Sequence, residues 1–312
     1  MLPMSEAIAT VEDRRFYVVN GLTESTKFNT GEVIDDQGEH YFYKSVLDPS
    51  AQLVRDDLEN EVCWNQDIGT RIEGEQWKVP QVEAHDPAYR WAVFEYIDGT
   101  PPREQDLAHW LLVVGGICAE LFSLPLGREE FDASQWYQKR VGGNKHVLES
   151  YYLDDQDRAA IYNLLENDRA GNSLKPGVTH GDIKTSNLIL LTSKPQAGLI
   201  DAEFGTMPSK PDWDWPRLHD MAYFYHMLRC QHHSPELAVG FAEHCWDNVK
   251  QISDLTQEEF VTEFYLSVLE RTISMMGHFI VSQSAQRQVD DSRRLQPEPY
   301  IGTIRTALEN LS

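Results

Sequence analysis

Three short apolar runs, bounded by polar residues and glycine, lie within the first hundred positions of the chain. The runs are RFYVVNG at 15–21, GEHYFYKSV at 38–46 and RWAVFEYIDG at 90–99. Short runs rich in aromatic and β-branched residues are typical of β-strands. Between the second and third runs, Val54, Leu58 and Val62 recur at helical spacing within residues 50–69. The pattern predicts a strand-rich region that carries one helix.

Beyond residues 99–102, GTPP, the periodicity becomes helical. Residues 106–124 are almost wholly apolar, which predicts a helix buried in a core. Residues 256–283 form an amphipathic pattern, and Thr256 and Glu259 have the spacing of an N-terminal capping box. We therefore expect an α+β chain with a small antiparallel sheet lobe over 1–98 and a larger, mostly helical lobe over 99–312.

A short hairpin is predicted inside the second lobe. The apolar runs 188–191 and 199–200 flank the turn sequence SKPQ at 193–196. The polar residues His180, Asp182, Lys184 and Asn187 precede the first arm, and Asp201 follows the second. We expect the hairpin to bring these polar side chains together.

Composition and charge narrow the classes of partner. The 312 residues are 41% apolar and 25% charged, as in ordinary globular proteins, and the formal net charge is −23. Such a charge repels nucleic acids and anionic membrane surfaces, so neither is expected as a partner. The longest apolar stretch, 110–122, is too short to span a bilayer. We expect a cytoplasmic location, and the sequence does not indicate an oligomeric state.

The polar residues around the hairpin fit phosphoryl transfer. The side-chain oxygens of Asp182, Asn187 and Asp201 suit a hard cation such as Mg²⁺. Because phosphates usually complete the coordination shell of this ion, a nucleotide is implied. Asp182 would then be free to accept a proton from an attacking hydroxyl, and Lys184 would neutralise the transferred group.

The segment HGDIKTSN at 180–187 resembles the catalytic loop of the aminoglycoside phosphotransferase and choline kinase family, within the protein-kinase-like superfamily. LIDAEFG at 199–205 resembles the metal-binding segment of the same family. The resemblance implies a bilobal kinase-like fold and an ATP-dependent (or GTP-dependent), Mg²⁺-dependent kinase that acts on a hydroxyl of a small molecule. It implies that Asp182 is the catalytic base and that Asn187 and Asp201 bind Mg²⁺.

The resemblance also requires a small-lobe lysine for the α- and β-phosphates and a helical glutamate that orients it. Lys44 shares a strand face with Phe42 and Val46, which fits a lysine facing a cleft. The alternative is an edge-strand lysine that discourages aggregation. We choose Glu61 over Glu59 as its partner, because Glu61 lies near the inward face of the predicted helix. A solvated charge is the alternative for this glutamate.

Further nucleotide contacts follow from the same resemblance. The run WAVFEYIDGTPP resembles the family's hinge, where backbone groups of Glu95, Tyr96 and Ile97 would meet the adenine edge. The phosphate loop departs from that of protein kinases, because residues 20–32 contain no GxGxxG. Backbone N–H groups near 23–26 and the Ser25 hydroxyl are the candidate phosphate contacts.

Several residues have a supporting role in this interpretation. We expect His180 to brace the loop rather than bind a ligand. Asp220 begins an apolar helix, where it would be an N-cap, and the resemblance adds that it braces the catalytic loop. Glu203 is a candidate outer group of the metal site or part of the acceptor site.

The segment after the metal motif suggests the acceptor. Asp212 and Asp214 alternate with Trp213 and Trp215, which suits a cationic ligand, as does the negative net charge. The alternative is that the tryptophans pack in the core and the aspartates form a solvated turn. We expect an aminoglycoside- or choline-like acceptor, with a neutral sugar or other metabolite as the second candidate. A non-catalytic, kinase-shaped binding protein is the competing class, and a protein kinase is disfavoured because 205–220 lacks an A-P-E segment.

Overall fold

The computed structural model describes residues 7–11, 13–72, 76–103, 106–127, 131–191, 197–206, 214–285 and 296–312. The chain forms two compact units. Unit 1 comprises Met1–Pro102 and His180–Met207, and unit 2 comprises Arg103–Thr179 and Pro208–Ser312. This grouping differs from the predicted lobes 1–98 and 99–312, because the strands of the hairpin are hydrogen-bonded to strands at 77–78 and 99–100.

Unit 1 contains two sheets and the helix α1, Gln52–Arg71. Its strands are β1 Ala9–Val11, β2 Arg14–Val18, β3 Thr23–Glu24, β4 Phe28–Asp35, β5 His40–Val46, β6 Trp77–Lys78, β7 Val82–His85, β8 Trp91–Glu95, β9 Gly99–Thr100, β11 Leu188–Leu191 and β12 Ala197–Leu199. The larger sheet is antiparallel, with the order β1-β2-β4-β5-β8-β7 and β3 paired to β4. The smaller sheet has the order β6-β12-β11-β9, with β6 and β12 parallel.

The larger sheet buries apolar side chains on both faces. One face carries Phe16, Val33, Tyr43 and Val93. The other carries Phe28, Val46, Ala92 and Phe94, which pack against Leu58 and Val62 of α1. Because side chains alternate along β5, Lys44 lies in the row with Phe42 and Val46 that faces α1. The predicted strands and the predicted helix of this region are confirmed.

Unit 2 is mostly helical. Its helices are α2 Leu107–Ser123, α3 Ala133–Tyr137, α4 Lys145–Leu148, α5 Asp155–Glu166, α6 Arg169–Ser173, α7 His219–Cys230, α8 Pro235–Ile252, α9 Gln257–Ala285 and α10 Pro297–Leu311, with the short strands β10 Pro176–Gly177 and β13 Trp215–Pro216. Every residue of α7 except Arg229 is buried, because α8, α9 and α10 pack around this helix.

The helices predicted at 106–124 and 256–283 are confirmed as α2 and α9. The predicted capping box begins α9: the Thr256 N–H donates to Glu259 Oε2 at 2.9 Å, and the Glu259 N–H donates to Thr256 Oγ1 at 3.2 Å. None of the helices within the described ranges has a stretch both long and apolar enough to cross a bilayer.

The expected α+β class is confirmed, with an antiparallel sheet and one helix in unit 1 and a helical unit 2. Residues 20–32, the predicted phosphate loop, form a hairpin of β3 and the first part of β4, and their phosphate-binding role stays a prediction. β4 is hydrogen-bonded to β2, β3 and β5, so backbone pairing rather than apolar alternation establishes this strand.

Candidate active site

Lys44 lies at the centre of a carboxylate cluster in unit 1. Its Nζ is 2.7 Å from Glu61 Oε2, 2.7 Å from Asp201 Oδ1 and 2.8 Å from Glu203 Oε1. Burial opposes the charge of Lys44, but the three carboxylates hold its pKa above the usual value. The structure therefore brings together the predicted partners Lys44 and Glu61, and it adds Asp201 and Glu203.

The three carboxylates share one buried ammonium group, which leaves negative charge uncompensated. Burial raises the pKa of Glu61 to about 7, and the charges of Asp201 and Glu203 add to this effect against that of Lys44. For Asp201, burial also acts upward, but the attraction of Lys44 outweighs it and lowers the pKa of this carboxyl.

A second lysine, Lys27, reaches the cluster from the turn between β3 and β4. Its Nζ is 2.9 Å from Glu203 Oε2 and 2.8 Å from Asp57 Oδ2 on α1. Glu203 therefore bridges the ammonium groups of Lys27 and Lys44. Neither Lys27 nor Asp57 was predicted from the sequence. The available signal was that Lys27 lies two residues after Ser25, in the segment assigned to phosphate binding.

The segment after β12 is attached to α1 by a buried amide. Asn60 Nδ2 donates to the carbonyl of Glu203 at 3.0 Å and to that of Gly205 at 2.9 Å. A Cβ on Gly205 would lie 2.3 Å from Cδ1 of Trp64, so only glycine allows this close approach. Asp201 adopts a φ of 67°, a left-handed conformation that aspartate tolerates better than most residues.

The segment 180–187 is folded by its own polar groups. Asn187 Nδ2 donates to Asp182 Oδ2 and to the Asp182 carbonyl, both at 3.1 Å, and Lys184 forms an ion pair with Asp182. Gly181 has a φ of 79°, and a Cβ there would lie 2.4 Å from the carbonyl oxygen of Phe204. Glycine is therefore required between His180 and Asp182.

His180 is fully buried and neutral. Its Nε2 donates to the carbonyl of Ile200 at 3.0 Å, and its Nδ1 accepts from the Asp182 N–H at 3.3 Å. Burial lowers the pKa of His180 to about 4, and the nearby carboxylates compensate only in part. This geometry agrees with the expected bracing role, which stays a prediction.

A cavity of about 470 Å³ in unit 1 collects most of these groups. Its polar lining includes Ser25, Lys44, Glu61, Asn187, Asp201 and Glu203, and its apolar lining includes Phe28, Phe42, Phe94, Ile97, Ile189 and Ile200. Asp182 lies one hydrogen bond behind Asn187. The volume falls in the range of cavities that bind small molecules.

The predicted hinge and phosphate turn also line the cavity, through Ser25 and through Glu95, Tyr96 and Ile97. The Ser25 hydroxyl is engaged within its own turn: it donates to the Phe28 carbonyl and accepts from the Phe28 N–H, both at 3.0 Å. The Glu95 N–H donates to the Gln81 carbonyl at 2.7 Å. The nucleotide-binding roles of these residues stay predictions.

The donor set fits a divalent cation. Five carboxylates form ion pairs with only three lysines in this region: Asp57, Glu61, Asp182, Asp201 and Glu203 with Lys27, Lys44 and Lys184. Glu61, Asp201 and Glu203 each offer an oxygen, and these atoms lie within 4.8 Å of one another. The predicted ligands Asn187 and Asp201 both line the cavity. Oxygen donors with excess negative charge are those that Mg²⁺ prefers.

The remaining predicted residues belong to unit 2. The N-cap assignment of Asp220 is wrong, because α7 begins at His219 with Leu218 as its N-cap, and Asp220 is buried in the first turn. Its predicted bracing role stays a prediction. Asp214 is buried. Asp212 and Trp213 lie outside the described residues.

Trp215 is the last aromatic residue of the segment 212–215, and other side chains of unit 2 contact its ring. The His219 ring stacks on it at 4.1 Å between centroids, and the Arg140 guanidinium lies 4.7 Å from its centroid.

The sequence model of the phosphotransferase enzyme family matches residues 34–243, more than half of the chain. No curated relative matches in sequence. Solved structures of similar fold include a macrolide 2'-phosphotransferase from Brachybacterium faecium, with a TM-score of 0.60, 10% identity and coverage of 93% of this chain and 94% of that one.

Two further structures extend the comparison. A choline kinase from Streptococcus pneumoniae gives a TM-score of 0.55 at 14% identity, covering 94% of each chain. An ethanolamine kinase from Plasmodium vivax gives 0.57 at 14% identity, covering 95% of this chain and 82% of that one. The kinase-like fold expected from the sequence is confirmed.

Proposed function

Since the chain belongs to the phosphotransferase enzyme family, we propose that it is a cytoplasmic kinase that transfers the γ-phosphate of ATP (or GTP) to a hydroxyl group of a small molecule. The observation that supports this most is the convergence of Lys44, Glu61 and Asp201 on one cavity, with Asp182 one hydrogen bond behind its wall. Positioning and charge neutralisation are the main requirements of phosphoryl transfer, and these groups supply both.

The cavity offers distinct surfaces to the two ends of a nucleotide. Lys44 would bind the α- and β-phosphates, oriented by Glu61. The base would lie among the apolar side chains of Phe94, Ile97 and Ile189. Because the Glu95 N–H already donates to Gln81, the edge of the base would meet the backbone of residues 96–97.

Asp201 and Asn187 would hold Mg²⁺, with Glu203 beside them. When bound, the ion neutralises charge on the phosphates and aligns them for transfer. Asn187 donates its amide nitrogen to Asp182, and its side-chain oxygen accepts from the Ser186 hydroxyl at 3.2 Å, which leaves the second lone pair of that oxygen for the metal. Asp182 would accept the proton of the acceptor hydroxyl, and Lys184 would neutralise the negative charge of the transferred phosphoryl group.

For the acceptor we propose an amine-bearing alcohol of aminoglycoside or choline type, with a neutral sugar second. The net charge of −23 favours cations, and the similar structures include kinases named for choline and ethanolamine. Trp215 is a poor candidate for stacking on the acceptor, because Arg140 and His219 already cover its ring. A non-catalytic binding protein of the same fold is the alternative.

The test is phosphate transfer from Mg·ATP and Mg·GTP to a panel of aminoglycosides, amino-alcohols and sugars. We expect acceptor-dependent turnover, and we expect Asp182→Ala to lower kcat by about 10²–10⁴-fold while it still binds nucleotide. Nucleotide binding without turnover of any acceptor would favour the binding protein. Near wild-type kcat in Asp182→Ala would remove that residue from the mechanism.

A further inference from the structure

We propose that Lys27 is a second phosphate-binding lysine, which exchanges Glu203 for a phosphate oxygen when Mg·ATP binds. The inference rests on the proposed function and adds a residue to the same site. In the structure, Lys27 joins the turn that was assigned to phosphate binding to the segment that carries Asp201.

The position of Lys27 places it at the rim of the cavity. The Ser25 N–H donates to the Phe28 carbonyl at 2.8 Å and closes a tight turn, which holds Lys27 between two residues that line the cavity. The turn is fixed by its backbone and by the Ser25 hydroxyl. The long side chain of Lys27 can therefore move without a change in the turn.

The carboxylate of Glu203 connects Lys27 with Lys44. The two Nζ atoms lie 2.9 and 2.8 Å from the two oxygens of this one carboxylate. A group that takes the place of Glu203 between the two lysines must itself be anionic and must offer more than one oxygen. A chain of phosphates has this chemistry, and a cation bound at Asp201 would weaken the hold of Glu203 on both lysines.

Burial distinguishes the two lysines. The side chain of Lys44 is 4% exposed, whereas that of Lys27 is 35% exposed. Solvent therefore reaches the Lys27 end of its ion pair with Glu203, and the buried Glu203 keeps Lys44 as a partner when Lys27 leaves. Neither Lys27 nor Asp57, its second carboxylate, is among the residues that line the cavity. The ion pair with Asp57 therefore holds Lys27 outside the lining and competes with the phosphate for it.

The experiment compares Lys27→Met with Asp57→Asn by calorimetric titration of Mg·ATP, Mg·ADP and AMP. Lys250→Met, on α8 in unit 2, matches the change in net charge and serves as the control. We expect Lys27→Met to weaken Mg·ATP about tenfold, from the loss of one charge-assisted hydrogen bond, while AMP is unchanged. We expect Asp57→Asn to leave Mg·ATP affinity unchanged or increased, and Lys27→Arg to retain most of it.

A purely structural ion pair gives a different pattern. Lys27→Met and Asp57→Asn would then lower the melting temperature together and would weaken ATP and AMP by equal factors. That result, or weaker Mg·ATP binding in Asp57→Asn, would overturn the proposal even if Lys27→Met did not fold. If the wild-type protein binds neither Mg·ATP nor Mg·GTP, the proposed function itself fails.

Discussion

Replacing Glu61 by glutamine is expected to stabilise the folded chain at alkaline pH. Removing one partner of a buried ion pair is usually destabilising, because a charge is left without compensation. Here Lys44 keeps Asp201 and Glu203, so no unpaired cation results. The glutamine oxygen can still accept from Lys44, and one buried negative charge is removed from an acidic cluster.

The magnitude follows from the pKa of Glu61, which rises from 4.5 to about 7 on folding. At about 1.4 kcal/mol per unit, ionisation of Glu61 in the folded chain, with the attraction of Lys44 already included, costs on the order of 3 kcal/mol. The folded chain binds the proton more tightly than the unfolded chain, so the stability of the wild type falls as pH rises from about 4.5 to about 7. The advantage of Glu61→Gln is therefore absent below pH 4.5 and complete above pH 7.

Urea unfolding of both proteins at pH 5, 6, 7 and 8 measures this difference. Asp86→Asn is the contrasting control: Asp86 is also buried, but hydrogen bonds from the Arg90 side chain and from the backbone N–H groups of Ala88 and Arg90 lower the pKa of this carboxyl to about 2, so its ionised form stabilises the fold. We expect this control to be less stable than wild type at pH 8. The opposite result would be a Glu61→Gln protein that is less stable than wild type at pH 8, with a smaller loss of stability at pH 5. The ionised Glu61 would then be a net stabilising group, and the reasoning would be refuted.

Two other predictions concern the segment after β12. Asp201→Asn removes an anionic oxygen donor, so calorimetry should show a much larger loss of affinity for Mg·ATP than for metal-free ATP; equal losses would exclude Asp201 as a metal ligand. Asn60→Ala leaves the buried carbonyls of Glu203 and Gly205 without their donor, and urea unfolding should show a loss of about 2–4 kcal/mol. A loss below about 0.5 kcal/mol would mean that this segment is held to α1 by other contacts.

The sequence predicted the elements whose own residues carry a strong period. α1, α2 and α9 have regular apolar faces or apolar runs, and β5 and β8 are rich in aromatic and β-branched residues, so side-chain pattern alone predicts them. The polar segment 180–187 was identifiable because its residues are close in sequence. In contrast, β4 contains few buried residues and is established by pairing with its neighbours, which a local pattern does not encode.

The same limit applies to the site. The pairing of Lys44 with a helical glutamate was implied by the family resemblance, and helix geometry selected Glu61 over Glu59 as that partner. The contact between Lys27 and Glu203 joins positions 176 residues apart and depends on how β12 lies in its sheet. Long-range contacts of this kind arise from tertiary structure. The excess of carboxylates over lysines in the cluster therefore could not be predicted from the sequence.

The discontinuity of unit 1 has a consequence for biosynthesis. Its first segment ends at residue 102 and its second begins at residue 180, so the ribosome completes α1 and the sheet strands β1–β5, β7 and β8 before the segment at 203–205 that Asn60 of α1 binds. At about 5–20 residues per second, roughly 5–20 s pass before residue 207 has been made. During that interval Asn60 has no carbonyl of Glu203 or Gly205 to bind, and Lys44 has Glu61 alone of its three carboxylates. A nascent chain halted between these points is expected to expose the polar groups of this cluster and to be a substrate for chaperones.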